Sequence, residues 1–140
     1  GLLGIASMEH MEDAILTLLR AEAVGVRYGI VSEDEFRMGM KALIGDILGT
    51  RIEEWRYNDD GSVYGVPYLV EAFLAIKDGV HILIDALPHA SRGDVSLFWR
   101  IGRLYERING VKPRLILFTF GIDEEAIESA RLLGIEVHVL

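Results

Sequence analysis

The chain of 140 residues contains no cysteine, no glutamine, only two asparagines and only three prolines. Without a thiol there is no disulfide, no thiolate metal centre and no cysteine nucleophile. The shortage of heat-labile amides, beside abundant Glu, Arg, Ile and Leu, is the composition expected of a thermophile. No run approaches the roughly 18 apolar residues of a membrane span, and the opening GLLGIAS lacks the positively charged flank of a secretory signal. The expected setting is therefore the cytoplasm, with no membrane partner. Positive charge is scarce too: 14 Lys and Arg against 22 Asp and Glu leave a formal net charge of −8. That balance repels phosphate and disfavours DNA as a partner, since basic contacts and counterion release dominate such binding. What the chain does have is apolar mass. At 51% hydrophobic residues it is able to build a single sizeable core.

The apolar spacing sorts the chain into elements. Met8 to Val24 is helical in pattern, with Met11, Ile15, Leu18, Leu19 and Ala23 along one stripe. That stripe must be buried, either on the rest of the molecule or against a second copy, and a dimer or another protein partner joined through this helix is expected. A second helix runs from a Ser32 cap to Leu48, packs through Phe36, Met40, Leu43, Ile44 and Ile47, and stops at Gly49. Thr50 to Tyr57 reads as a strand, Asn58 to Gly61 as a turn, and Ser62 to Ile76 as a strand interrupted near Gly65 and Pro67. Asp94 to Asn109 reads as a helix whose core stripe is Phe98, Ile101, Tyr105 and Ile108. The continuous apolar run from Arg114 to Phe120 suggests a strand buried on both faces. Gly134 separates a short helix from the closing EVHVL. The class is α/β, a mixed sheet flanked by helices.

The segment from Leu69 to Leu87, LVEAFLAIKDGVHILIDAL, holds the most specific pattern. Two β-rich runs flank Lys77-Asp78-Gly79, a turn signal. A two-residue turn would put Glu71, Phe73 and Lys77 on the face of Val80, Ile82 and Ile84. A three-residue turn with Gly79 left-handed instead gathers Val70, Ala72, Leu74, Ile76, Ile82, Ile84 and Ala86 on one apolar face. Glu71, Phe73, Lys77, His81 and Asp85 then share the other. This second register is the expected one, with Phe73 opposite Asp85 and Glu71 opposite Leu87.

The hairpin resembles that of the PD-(D/E)XK nuclease-like superfamily, in which one strand carries an Asp and the next an acidic residue, a spacer and a Lys. The order of elements extends the likeness from about Arg27 to Leu140. It also resembles archaeal proteins in which a helical segment precedes such a domain. The resemblance implies a restriction-endonuclease-like fold over residues 27–140 behind a helical extension over residues 1–26. It also implies a degenerate motif, because Phe73 stands where the first Asp belongs and Asp85-Ala86-Leu87 where acid-x-Lys belongs. Nuclease chemistry of this kind needs paired carboxylates around a divalent metal and a cation to orient the attacking water. One surviving motif acid supplies neither.

The remnant catalytic candidates are Glu35, Glu71, Asp85 and Lys77, and the metal-ligand candidates are Asp85, Glu71, Glu35 and His81. Each also has an ordinary reading. Glu35 in SEDEFR matches a first-helix Glu that joins the metal site in the family, yet Ser32-x-x-Glu35 is also a capping box. Lys77 beside a turn is commonly solvated, and Ser91-Arg92-Gly93-Asp94 caps a helix as readily as it holds a phosphate. No cofactor is expected, and Mg or Mn enters only if a rearranged site is active. The favoured function is a nuclease-fold protein without catalysis, serving interaction or oligomerisation. The alternatives are a metal-dependent endonuclease built from Glu35, Glu71 and Asp85, and a non-catalytic DNA-structure binder. The last requires positive charge to be concentrated on the helix bearing Arg100, Arg103 and Arg107.

Overall fold

The computed structural model describes the backbone of residues 2–140 and the side chains from residue 13 onward. Helix α1 (Leu2–Arg27) and helix α2 (Glu33–Leu48) precede a hairpin pair of strands, β1 (Glu53–Asp59) and β2 (Tyr68–Lys77). Then follow β3 (Val80–Leu87), α3 (Arg92–Asn109), β4 (Arg114–Thr119), α4 (Glu124–Leu133) and β5 (Ile135–Val139). The five strands form one sheet in chain order. β1, β2 and β3 are antiparallel, whereas β3, β4 and β5 are parallel and joined through α3 and α4. A tight turn suffices for the first kind of connection and a helical crossover is needed for the second.

The sheet is buried on both faces. On one side Phe73, Ala75, Ile82, Ile84, Ala86, Ile116 and Phe118 pack under α1 and α2, which contribute Leu19, Ala23, Phe36, Met40, Leu43 and Ile44. On the other side Val70, Ala72, Leu83, Leu115 and Leu117 meet Val95, Phe98, Ile101 and Tyr105 of α3 and Ala126 and Ala130 of α4. Strand β4, contributing to both cores, is apolar throughout its interior, as expected of a central parallel strand.

Several expectations shift in detail. The α1 stripe is only half buried: Leu19 and Ala23 are in the core, while Ile15 and Leu18 are exposed. Met11 lies outside the described side chains. Ile47 and Ile108 are also exposed, each sitting at the end of its helix beyond the reach of the sheet. The strand expected from Ser62 starts only at Tyr68. Asp59 turns the preceding segment back by accepting from the backbone N–H groups of Gly61 and Val63 and from the Ser62 hydroxyl. A buried carboxylate with three donors stabilises a compact turn better than an extended chain would.

The hairpin register differs by one residue from the expected three-residue-turn register. Lys77 pairs with Val80 and Phe73 with Ile84, so only Asp78 and Gly79 form the turn. Both have positive φ, 52° and 78°, the signature of a type I′ turn. Sorting polar from apolar side chains would fix register only if one face met water. Here helices cover both faces, and the turn chemistry of Asp-Gly decided instead.

Candidate functional site

The site is built where β2 and β3 separate. Their ladder ends at Phe73 and Ile84. Just beyond, the N–H of Ala86 donates to Asp85 Oδ1 at 2.9 Å. The gap is reached by Arg37, projecting from the second turn of α2. Its guanidinium lies over the Phe73 ring, 4.7 Å from the centroid. Its Nε is 3.9 Å from Asp85 Oδ1 and its Nη1 is 3.7 Å from Glu71 Oε2. These separations are those of ion pairs rather than of hydrogen bonds. Arg37 thus supplies a fixed positive charge between the two hairpin carboxylates.

The two acids differ in setting. Glu71 faces Arg56 across the β1–β2 ladder and accepts from its Nε at 3.1 Å. Asp85 keeps a side-chain exposure of 20% and burial pushes its carboxyl up to about 6, opposed by Arg37 and the Ala86 N–H and reinforced by the charges of Asp94 and Glu33. Tyr64, from the turn after β1, completes the rim. Burial raises its phenol above the ordinary range, and the charge of Asp85 pushes the same way. Tyr64 stacks edge-on with Tyr68 at 4.9 Å.

Of the residues expected at the site, Glu71 and Asp85 are brought together and the others are not. Glu35 is exposed on the first turn of α2, where its N–H donates to Ser32 Oγ at 3.1 Å. The helix acid felt by Asp85 is Glu33. Lys77 sits at the hairpin tip and donates to the carbonyl of Leu48 at 3.0 Å, satisfying the end of α2. His81 hydrogen-bonds the Tyr105 hydroxyl through Nδ1. It lies four positions before Asp85 on β3, about 13 Å of rise. Phe73 is fully buried beneath Arg37, and Leu87 packs on the α3-side core. Ser91 and Asp94 form a reciprocal capping box at the start of α3. His89 pairs with Asp123 at 2.7 Å on the neighbouring loop.

Sequence reading missed Arg37 and Tyr64. Arg37 was visible as the last residue of SEDEFR, two positions after the acid that drew attention. Its role needed the sheet beneath it.

A divalent cation does not fit this donor set. Oxygen-ligated metals want several oxygens converging on one point. Here two carboxylates already share a guanidinium, and one of them is also held by Arg56. Among the described residues no group of three or more His, Asp or Glu side chains is placed to hold a metal.

Comparison with known proteins agrees with this architecture. Residues 69–136 match the model of the PD-(D/E)XK nuclease superfamily. Residues 5–67 match the model of a family described as a protein of unknown function, DUF3782. No curated protein matches the sequence. Among solved structures the fold is similar to that of EndoMS in its apo form, with a TM-score of 0.55 and 18% identity over 74% of this chain. The likeness spans 45% of the EndoMS chain. The sheet order and the splayed hairpin therefore agree with both comparisons: the segment from 69 to 136 matches the PD-(D/E)XK nuclease superfamily model, and the chain shares the fold of EndoMS.

Proposed function

We propose that this protein keeps the nuclease scaffold but does not cleave phosphodiesters, and that it acts as an interaction module. The observation that carries the reading is Arg37 between Glu71 and Asp85. A guanidinium there neutralises the carboxylates that a metal would otherwise have to neutralise, and it has neither a Lewis-acid orbital nor a bound water to activate. Phe73 supports Arg37 from below through its ring face, and Leu87 contributes to packing where a motif lysine would stand.

The partner is a second copy or another protein in the cytoplasm, docking on the helical extension, residues 1–26, outside the domain of residues 27–140. Support comes from the apolar side chains that α1 and its exit leave in solvent. Leu18 is 60% exposed, Val24 53%, Tyr28 73% and Ile30 82%. Exposed apolar surface of this kind commonly marks an interface.

The test is calorimetric titration of the unmodified chain with Mn²⁺ and Mg²⁺, alongside a cleavage assay on linear and branched DNA. No heat of specific binding and no cleavage are expected. Stoichiometric metal binding with cleavage would mean that the carboxylates have rearranged into an active centre. Sedimentation of the chain and of a Leu18→Glu, Val24→Glu variant tests association separately, with a concentration-dependent dimer expected only for the former.

A further inference from the structure

Although the chain is acidic overall, four of its cations line a single groove. The outer face of α3 carries Arg100, Arg103 and Arg107 at spacings of three and four residues, which puts them on one stripe about 5–6 Å apart. With Trp99 and Lys112 they border a groove of about 700 Å³ whose only lining carboxylate among the described residues is that of Glu106. Trp99 is half-buried on its lining, and the Arg103 guanidinium lies over the indole, 5.2 Å from the ring centroid.

Two of these arginines are held in place by the turn after β1. Arg100 Nη1 donates to the Val63 carbonyl at 3.3 Å and Arg107 Nη2 to Ser62 Oγ at 3.3 Å. Asp59, 3.8 Å from Arg107, accepts from Ser62 and two backbone N–H groups, so its charge is shared. Each guanidinium has five donors, so one hydrogen bond fixes its position and leaves others for a ligand. Arg103 and Lys112 form no ion pair among the described residues.

We infer that this groove is a binding site for single-stranded nucleic acid, on the opposite face of the sheet from Arg37. A row of cations tracks a phosphate backbone, and the Arg103 guanidinium, itself stacked on the Trp99 indole, offers a planar surface on which a base stacks. An acidic peptide would satisfy the cations but leave the Trp99–Arg103 stack without a planar partner. The face is separate from the Glu71–Arg37–Asp85 cluster, so it does not depend on whether that cluster is inert.

Fluorescence anisotropy of a labelled oligothymidylate titrated with the whole chain tests the site. Binding is expected at low salt, with a log–log salt slope of about −2 for three phosphate contacts. Reversing Arg103→Glu and Lys112→Glu together is expected to weaken it by about an order of magnitude, whereas Arg51→Gln, at an exposed position outside the groove, leaves it unchanged. The chain has two tryptophans. In a Trp55→Phe protein the remaining Trp99 emission is expected to quench as the oligonucleotide binds. Absence of binding at low salt overturns the inference. So does equal affinity for polyglutamate or for duplex DNA, or affinity insensitive to the charge reversal.

Discussion

Arg37 lies over the ring of Phe73 and between Glu71 and Asp85, its Nε 3.9 Å from the Asp85 carboxylate. An arginine so placed offsets the cost of keeping Asp85 out of water. Replacing it strands a charge in a half-buried site, and Arg37→Gln is expected to lower stability by about 1–3 kcal/mol at neutral pH, less than for a fully buried pair. Urea denaturation of Arg37→Gln, Asp85→Asn and the double variant checks it. Because Asp85→Asn removes the charge that Arg37 neutralises, Arg37→Gln should cost clearly less in the Asp85→Asn background than in the parent, and equal costs would show that the two do not interact.

The two perturbed aspartates predict opposite pH dependences. Burial, partly opposed by Arg37, pushes Asp85 from 3.8 up to about 6, so the folded state binds its proton more readily than the unfolded one. Its stabilising contribution is complete below about pH 4 and is lost as pH rises through about 6. Asp59 is drawn down to about 2, chiefly by the Ser62 hydroxyl and also by backbone N–H groups, against its own desolvation. Its contribution is present above about pH 4 and fades as pH falls towards 2. Asp85→Asn should therefore flatten the stability profile between about pH 4 and 6 and be more stable than the parent above it by about 2 kcal/mol. Asp59→Asn should steepen nothing there, and should instead remove the loss seen under strong acid. Chemical denaturation across pH separates the two.

The hairpin turn offers a local test of register. Gly79 has φ +78° with nothing within 4 Å of a Cβ built on it, so Gly79→Ala meets only backbone strain. A loss of about 1 kcal/mol is expected. Asp78, at φ 52°, already occupies the left-handed region that Asn and Gly prefer. Asp78→Asn should be neutral or slightly stabilising. Were a three-residue turn correct, position 78 would be right-handed and Asn would confer nothing.

In α3, Gly102 is where the helix approaches β4. A Cβ there would lie 2.7 Å and 2.9 Å from the two Leu115 methyls, inside the core. Gly→Ala in a helix ordinarily gains about 1 kcal/mol. At Gly102 the clash should outweigh that gain, and thermal denaturation is expected to show a net loss of about 1–2 kcal/mol.

What the sequence determined by itself was local. Ser32 and Gly49 bound α2, Ser91 and Asp94 cap α3, and Gly134 ends α4 at φ +71°, because capping and left-handed turns depend on residues within a few positions of each other. The α/β class and the doubly buried β4 were likewise legible from the apolar runs. Tertiary structure decided what depended on neighbours far along the chain. With helices on both faces, Phe73 and Ile84 could share a core layer, which moved the register by one. Arg37 acquires its partners only when α2 lies across a strand pair more than thirty residues later. The basic groove exists only because the turn after β1 folds against α3 and orients Arg100 and Arg107. Composition records how much charge a chain has, and folding determines where that charge is gathered.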